Sequence, residues 1–149
     1  MIRYIFYFTV LFFTTIYPCL SMEDVETPSS RDIYFHFKNA VPKEELADYA
    51  CPKQGCDCVK LSITLSWQPG NSHFETLHQP RAERKWRRLW YPQDTLVVTI
   101  RGESRVSQST EILVKETYNF ESCPKNGSMY VELQSSFLGK FELVEVNKF

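Results

Sequence analysis

The sequence predicts a mainly β domain: an antiparallel β-sandwich or barrel of about six or seven strands, with one or two short helices and a disulfide staple. Three observations carry this. Apolar and polar residues alternate through several short segments, which is the period of a half-buried strand. Turn-forming Pro, Gly and Asn clusters separate those segments at short intervals, the rhythm of sandwiches and barrels. Cysteines follow an apolar leader, and in an oxidising compartment they pair.

Composition sets the outer bounds. The chain has 149 residues, 43% hydrophobic, 15% aromatic and 23% charged, enough apolar material for one packed core and too much for a disordered tail. A coiled coil, a collagen-like repeat and a multi-domain enzyme are excluded on the same grounds. The formal charge of −1 gives no general attraction to polyanions, so nucleic acid is not an expected partner.

The chain opens with Arg3, a charge-free stretch from Tyr4 to Tyr17, and then Pro18-Cys19-Leu20-Ser21. A basic start, an apolar middle and small residues before a cut form the layout of a secretory signal peptide, here residues 1–21. The apolar stretch is shorter than the roughly 20 residues a spanning helix needs, so no stable membrane span is expected. Residues 22–31, acidic and polar with Pro28-Ser29-Ser30, read as a flexible lead-in. Residues 32–149 then form the single β-rich domain.

Within that domain Asp32 to Lys38 alternates and reads as a strand. Val41 to Tyr49 opens with Pro42 and acids, the start of a short helix. Cys51 to Cys58 holds Pro52, Gly55 and three cysteines, a loop. Val59 to Trp67 is the cleanest element: Val59, Leu61, Ile63, Leu65 and Trp67 against Lys60, Ser62, Thr64 and Ser66. Gln68-Pro69-Gly70-Asn71 turns the chain. Further strands are read at Phe74 to Leu77, Thr95 to Arg101, Thr110 to Tyr118, Met129 to Leu133 and Phe141 to Val146.

Gln79 to Pro92 breaks the pattern. On a helical wheel Ala82, Trp86, Leu89 and Trp90 share one arc, while Arg81, Arg84, Lys85, Arg87 and Arg88 fall opposite. As a strand, the same residues would put Trp86 and Trp90 on a face with Arg84 and Arg88. The segment is therefore expected to be a short amphipathic helix between Pro80 and Pro92, with its apolar arc on the sheet.

Loss of Cys19 with the leader leaves Cys51, Cys56, Cys58 and Cys123, an even number that argues for two bridges. Cys56 and Cys58 are too close for an unstrained bond. Cys123 is thus expected to take one of them and Cys51 the other. A zinc site is the rival reading. The C-x4-C-x-C spacing matches no common structural zinc pattern, and no nearby His completes it, so no metal and no cofactor is expected.

The five cations Arg81, Arg84, Lys85, Arg87 and Arg88 are the candidate site. Clustered basic residues gain by releasing counterions from a sulphated glycan, and Arg forks match sulphate oxygens. The same run also fits a plain solvated face, a convertase cleavage site at its paired basic residues, or contact with anionic lipid head groups. Asn126-Gly127-Ser128 is a glycosylation acceptor in a turn, or equally an unmodified turn. Enzyme motifs are absent: the chain has no G-x-S-x-G, H-E-x-x-H or phosphate loop, and His73 and His78 are five apart, on opposite faces of a strand. The expected function is that of a secreted, non-enzymatic binding protein for an extracellular protein or sulphated glycan, of unspecified oligomeric state. The alternative is a lipid or small-ligand carrier with a cavity between sheets. N-terminal sequencing of protein collected from medium should give Met22 as the first residue; an intact Met1 in a membrane pellet would contradict the leader.

Overall fold

A computed structural model describes residues 29–123 and 127–149. The leader, most of the lead-in and Asn126 lie outside the described residues. Among the described residues eight strands follow in chain order: β1 Arg31–Asn39, β2 Leu61–Gln68, β3 Ser72–Leu77, β4 Glu83–Trp90, β5 Thr95–Glu103, β6 Thr110–Asn119, β7 Ser128–Ser135 and β8 Phe141–Val146. Two 3-10 helices, Lys43–Tyr49 and Phe120–Ser122, complete the elements. The first is the short helix expected after Pro42, while Arg31 belongs to β1 rather than to the lead-in.

The strands form two four-stranded sheets, ordered β4-β1-β7-β8 and β3-β2-β5-β6. The second is antiparallel throughout. The first is mixed, because β1 runs parallel to β7 while pairing antiparallel with β4. Inward residues of both sheets form one buried cluster: Ile33, Phe35, Phe37, Met129, Val131 and Leu133 from the first, with Ile63, Leu65, Leu96, Val98 and Ile100 from the second. That arrangement is consistent with a sandwich. Burial of so many large aliphatic and aromatic side chains, at about 1.5–3 kcal/mol each, is the main favourable term.

Alternation places these residues. In β2 every second side chain, from Leu61 to Trp67, is buried, and the intervening Ser and Thr face outward. In β5 and β6 the register slips between Ile100 and Arg101, where Ile100 faces Val114 and Arg101 faces Ile112. The extra residue, Leu113, is the mark of a β-bulge. It keeps Val114 in the core while Ile112 turns to solvent. At Gly102 the Tyr49 ring lies so close that an added Cβ would fall 2.5 Å from its Cδ1. Glycine is required there by close approach, and the contact docks the 3-10 helix on β5.

The segment expected to be a helix is β4. Its two faces alternate: Arg84, Trp86, Arg88 and Trp90 point toward the other sheet, and Glu83, Lys85, Arg87 and Leu89 point away. Leu89, expected to pack on the sheet, is 45% exposed. Trp90 is fully buried and meets Trp67 edge-on at 5.0 Å, a favoured aromatic geometry. Trp86 is half-buried against Phe35, with ring centroids 6.0 Å apart. The inward cations are accommodated because β4 is an edge strand, so their heads reach the rim. Arg84 is ion-paired with Glu75 of β3, and the Arg88 guanidinium lies 4.9 Å from the Trp67 ring centroid.

Asn39 is fully buried at the end of β1, and its side-chain amide and backbone N–H are hydrogen-bonded. Its Nδ2 donates to Pro80 O at 2.6 Å, and its Oδ1 accepts from Val41 N at 3.1 Å. Its own backbone N–H donates to Ala82 O at 2.9 Å. The side chain thereby ties the start of β4 to the end of β1. Asn39→Ala should cost about 1–3 kcal/mol by orphaning the buried Val41 N–H and the partly buried Pro80 carbonyl. Urea unfolding should show this as a lower midpoint with an unchanged slope.

Candidate functional site

Pairing of β4 with β1 divides the five candidate cations instead of gathering them. Arg84 and Arg88 are committed to the rim between the sheets. Lys85 and Arg87 stand on the outer face of the first sheet, and Arg81 is exposed just before β4. Sequence periodicity alone placed all of them on one solvent face; the strand permits only alternate residues to share one.

What the periodicity missed is the company these outward cations keep. Lys85 pairs in register with His36, and His36 with Tyr130 of β7. Arg87 pairs with Tyr34. The Lys85 Nζ lies 4.2 Å from the Tyr34 ring centroid, and the Arg87 guanidinium 5.6 Å from it. His36 stacks on Tyr130 at 4.3 Å with planes 17° apart, and Tyr130 meets Phe149 edge-on. Lys38, one row further on, lies 5.3 Å from the Phe149 ring. The face is thus a ladder of aromatic rings with cations over them, worth about 0.5–1 kcal/mol per exposed contact.

Acids answer some of these charges. Asp32 takes Arg87 in a forked contact, with both carboxylate oxygens 3.0 Å from Nε. That hydrogen bond holds the Asp32 carboxyl below its ordinary value. Glu132 lies 3.7 Å from Lys38. Lys85 has no ion pair among the described residues. His36 titrates below its ordinary 6.5, first because it is partly buried and second because of the Lys85 charge.

The second cluster is sulfur. No two of Cys51, Cys56, Cys58 and Cys123 stand at disulfide-bonding distance in the structure. The Cys51, Cys56 and Cys58 sulfurs lie within 4.8 Å of one another. Cys123 sits elsewhere: it follows the Phe120–Ser122 helix at the end of the sandwich where Thr95 pairs with Asn119. The three-cysteine loop lies beyond Lys60, whose carbonyl accepts from Glu103 at the opposite end of β5. Nine residues of β5 separate these ends by about 25 Å at strand rise, far outside the reach of a disulfide. Burial pushes the Cys123 thiol up to about 11. Within the trio, the Lys53 backbone N–H and then the neighbouring thiols hold Cys51 below its ordinary value. Hydrogen bonding to Cys56 and Cys51 pushes Cys58 up to about 12. Spatial convergence of these three was not visible in their spacing, since it depends on the turn between them.

Grooves among the described residues include three that are open to the surface. One of about 450 Å³ lies on the outer side of the second sheet around Phe74, Thr76 and Arg101, and one of about 480 Å³ lies beside Pro52 and Arg105. The third, of about 320 Å³, borders Cys56 and Cys58. None of these three runs between the sheets. No helix among the described residues is long and apolar enough to cross a membrane.

Comparison with protein-family models, with curated proteins and with solved structures finds no match. The site therefore rests on its own chemistry.

The lowered His36 value has a directional consequence. The unfolded chain takes up the His36 proton more readily than the folded one. Folding stability from this residue is therefore lost as pH falls through about 6.5 toward the folded value, and is flat above it. In an NMR titration His36 should show a midpoint below 6.5. Lys85→Ser should move that midpoint upward by removing the adjacent charge.

Proposed function

We propose that the protein is exported and acts as an extracellular, non-enzymatic binding protein. Its contact surface is the outer face of β4, β1 and β7, and its partner is anionic, with a sulphated glycan as the best-fitting class. The observation that carries this reading is Lys85, a cation without an acidic partner among the described residues, set over Tyr34 beside the stacked pair His36–Tyr130. Sugar rings offer apolar C–H faces to aromatic rings, and their sulphates offer oxygens to cations. Arg87 adds a guanidinium fork whose present partner, Asp32, is exposed and exchangeable. His36 adds a third positive charge at acidic pH.

Arg84 and Arg88 are excluded from this surface by their inward direction. Arg81 lies beside it and extends the positive field. The surface position of the three grooves supports a surface binder over a lipid carrier. Export and glycan attachment at Asn126 belong to the same proposal. They are supported by the apolar leader and by the Asn-Gly-Ser triplet; the leader and Asn126 itself lie outside the described residues.

Lys85→Ser combined with Arg87→Ser should leave the chain folded, because exposed charges contribute within about 1 kcal/mol each. Retention on heparin should fall, with elution at lower salt, since fewer counterions are displaced. Arg84→Gln should instead lower thermal stability with little change in elution. Equal retention of the Lys85/Arg87 variant and the parent would overturn the proposal.

A further inference from the structure

The loop Cys51–Cys58 is built to converge three sulfurs. Its base is an antiparallel bridge, Ala50 to Val59, closed by Lys60 N donating to Tyr49 O at 2.8 Å. Cys51 N donates across the loop to Cys58 O at 2.9 Å, which sets those two residues opposite each other. Between them Lys53-Gln54-Gly55-Cys56 makes a tight turn, with Cys56 N donating to Lys53 O at 3.1 Å. Gly55, at φ 78°, occupies the third position of this turn, where a positive φ is required and glycine supplies it. The turn returns Cys56 over the Cys51–Cys58 pair. The backbone thus fixes all three positions before any ligand arrives.

We propose that Cys51, Cys56 and Cys58 are a three-thiolate site for a single soft cation of the Cu(I) class. A metal bonded to three sulfurs at about 2.3 Å in a plane holds them about 4 Å apart, and these sulfurs already lie within 4.8 Å of one another. Thiolate softness selects Cu(I) and Zn(II) over hard cations. Ligand number then favours Cu(I), because structural zinc takes four protein ligands. No His, Asp or Glu of the described residues joins the three sulfurs. Asp57, the acid within the loop, is ion-paired with Lys43.

Two further features suit an anionic thiolate cluster. Lys53 and Lys60 act electrostatically on Cys51, and Arg105 lines the same groove as Cys56 and Cys58. Disulfide chemistry, by contrast, uses two of the three sulfurs and leaves the third over. Cys123, at the far end of β5, is out of reach as its partner. Binding replaces three S–H protons with one cation, so three protons are released per ion bound.

The test uses the whole chain, reduced and kept anaerobic, titrated with Cu(I) supplied as its acetonitrile complex. A thiolate-to-metal absorption band should grow and saturate at one ion per chain. Cys56→Ser should lose that saturable band, and Cys123→Ser should keep it. Alkylation read by mass spectrometry gives a second measurement independent of any variant. Cys51, Cys56 and Cys58 should be modified in the metal-free protein and protected together in the loaded one, with Cys123 unchanged between the two. Any of three results overturns the site: no saturating band, a band that survives in folded Cys56→Ser, or a disulfide within the trio in freshly isolated protein. None of these bears on heparin retention, so the two proposals stand or fall separately.

Discussion

The antiparallel pairing of β4 with β1 is the constraint on which the rest of the molecule depends. It gives an arginine-rich segment a period of two, so every inward tryptophan is accompanied by an inward cation. Such a strand is tolerable only at the edge of a sheet, where long side chains carry their charges to water. The opposing sheet supplies the partners, Glu75 for Arg84 and the Trp67 ring for Arg88. These contacts cross between β4 and the β3–β2 hairpin, joining the two sheets along one rim. The same pairing sets Lys85 against His36 and Arg87 against Tyr34. The outer face and the inner rim are two consequences of a single register.

Seven of the eight strands were legible because alternation is a local signal. Val59 to Trp67 carries it with no exception, and burial of β2 follows it residue by residue. β4 was not legible for an equally physical reason. Its Trp and Arg positions satisfy a helical wheel, and the strand reading demanded charge beside core. What reverses that judgement is non-local: the edge position of β4 and partners on β2 and β3. The parallel pairing of β1 with β7 was hidden in the same way, since two segments some ninety residues apart must find one another.

Where each cysteine lies depends on geometry of the same kind. Four thiols suggest two bonds, one from Cys123 and one from Cys51, with only Cys56 to Cys58 set aside as too close. The fold instead sends Cys123 to one end of the sandwich and gathers the other three at the opposite end. Gly55 and the bridge at Ala50 were both visible as residues. Their joint effect, folding Cys56 back over its neighbours, exists only once Tyr49 is docked on Gly102 and β2 begins at Leu61.

Edge strands carry a hazard that the arginines of β4 address. Among the described residues, one side of this strand has no neighbour in the sheet order, a template on which a foreign chain can add. A chain extending the sheet beyond β4 would cover the rim where Arg84 and Arg88 reach water. Their charges would be stripped of solvent, and Lys85 and Arg87 on the other face would lose hydration as well. Positive charge on both faces therefore makes self-association through this edge unfavourable. The basic run that first reads as an invitation to a ligand thus also sets a desolvation cost on any strand that would pair at this edge.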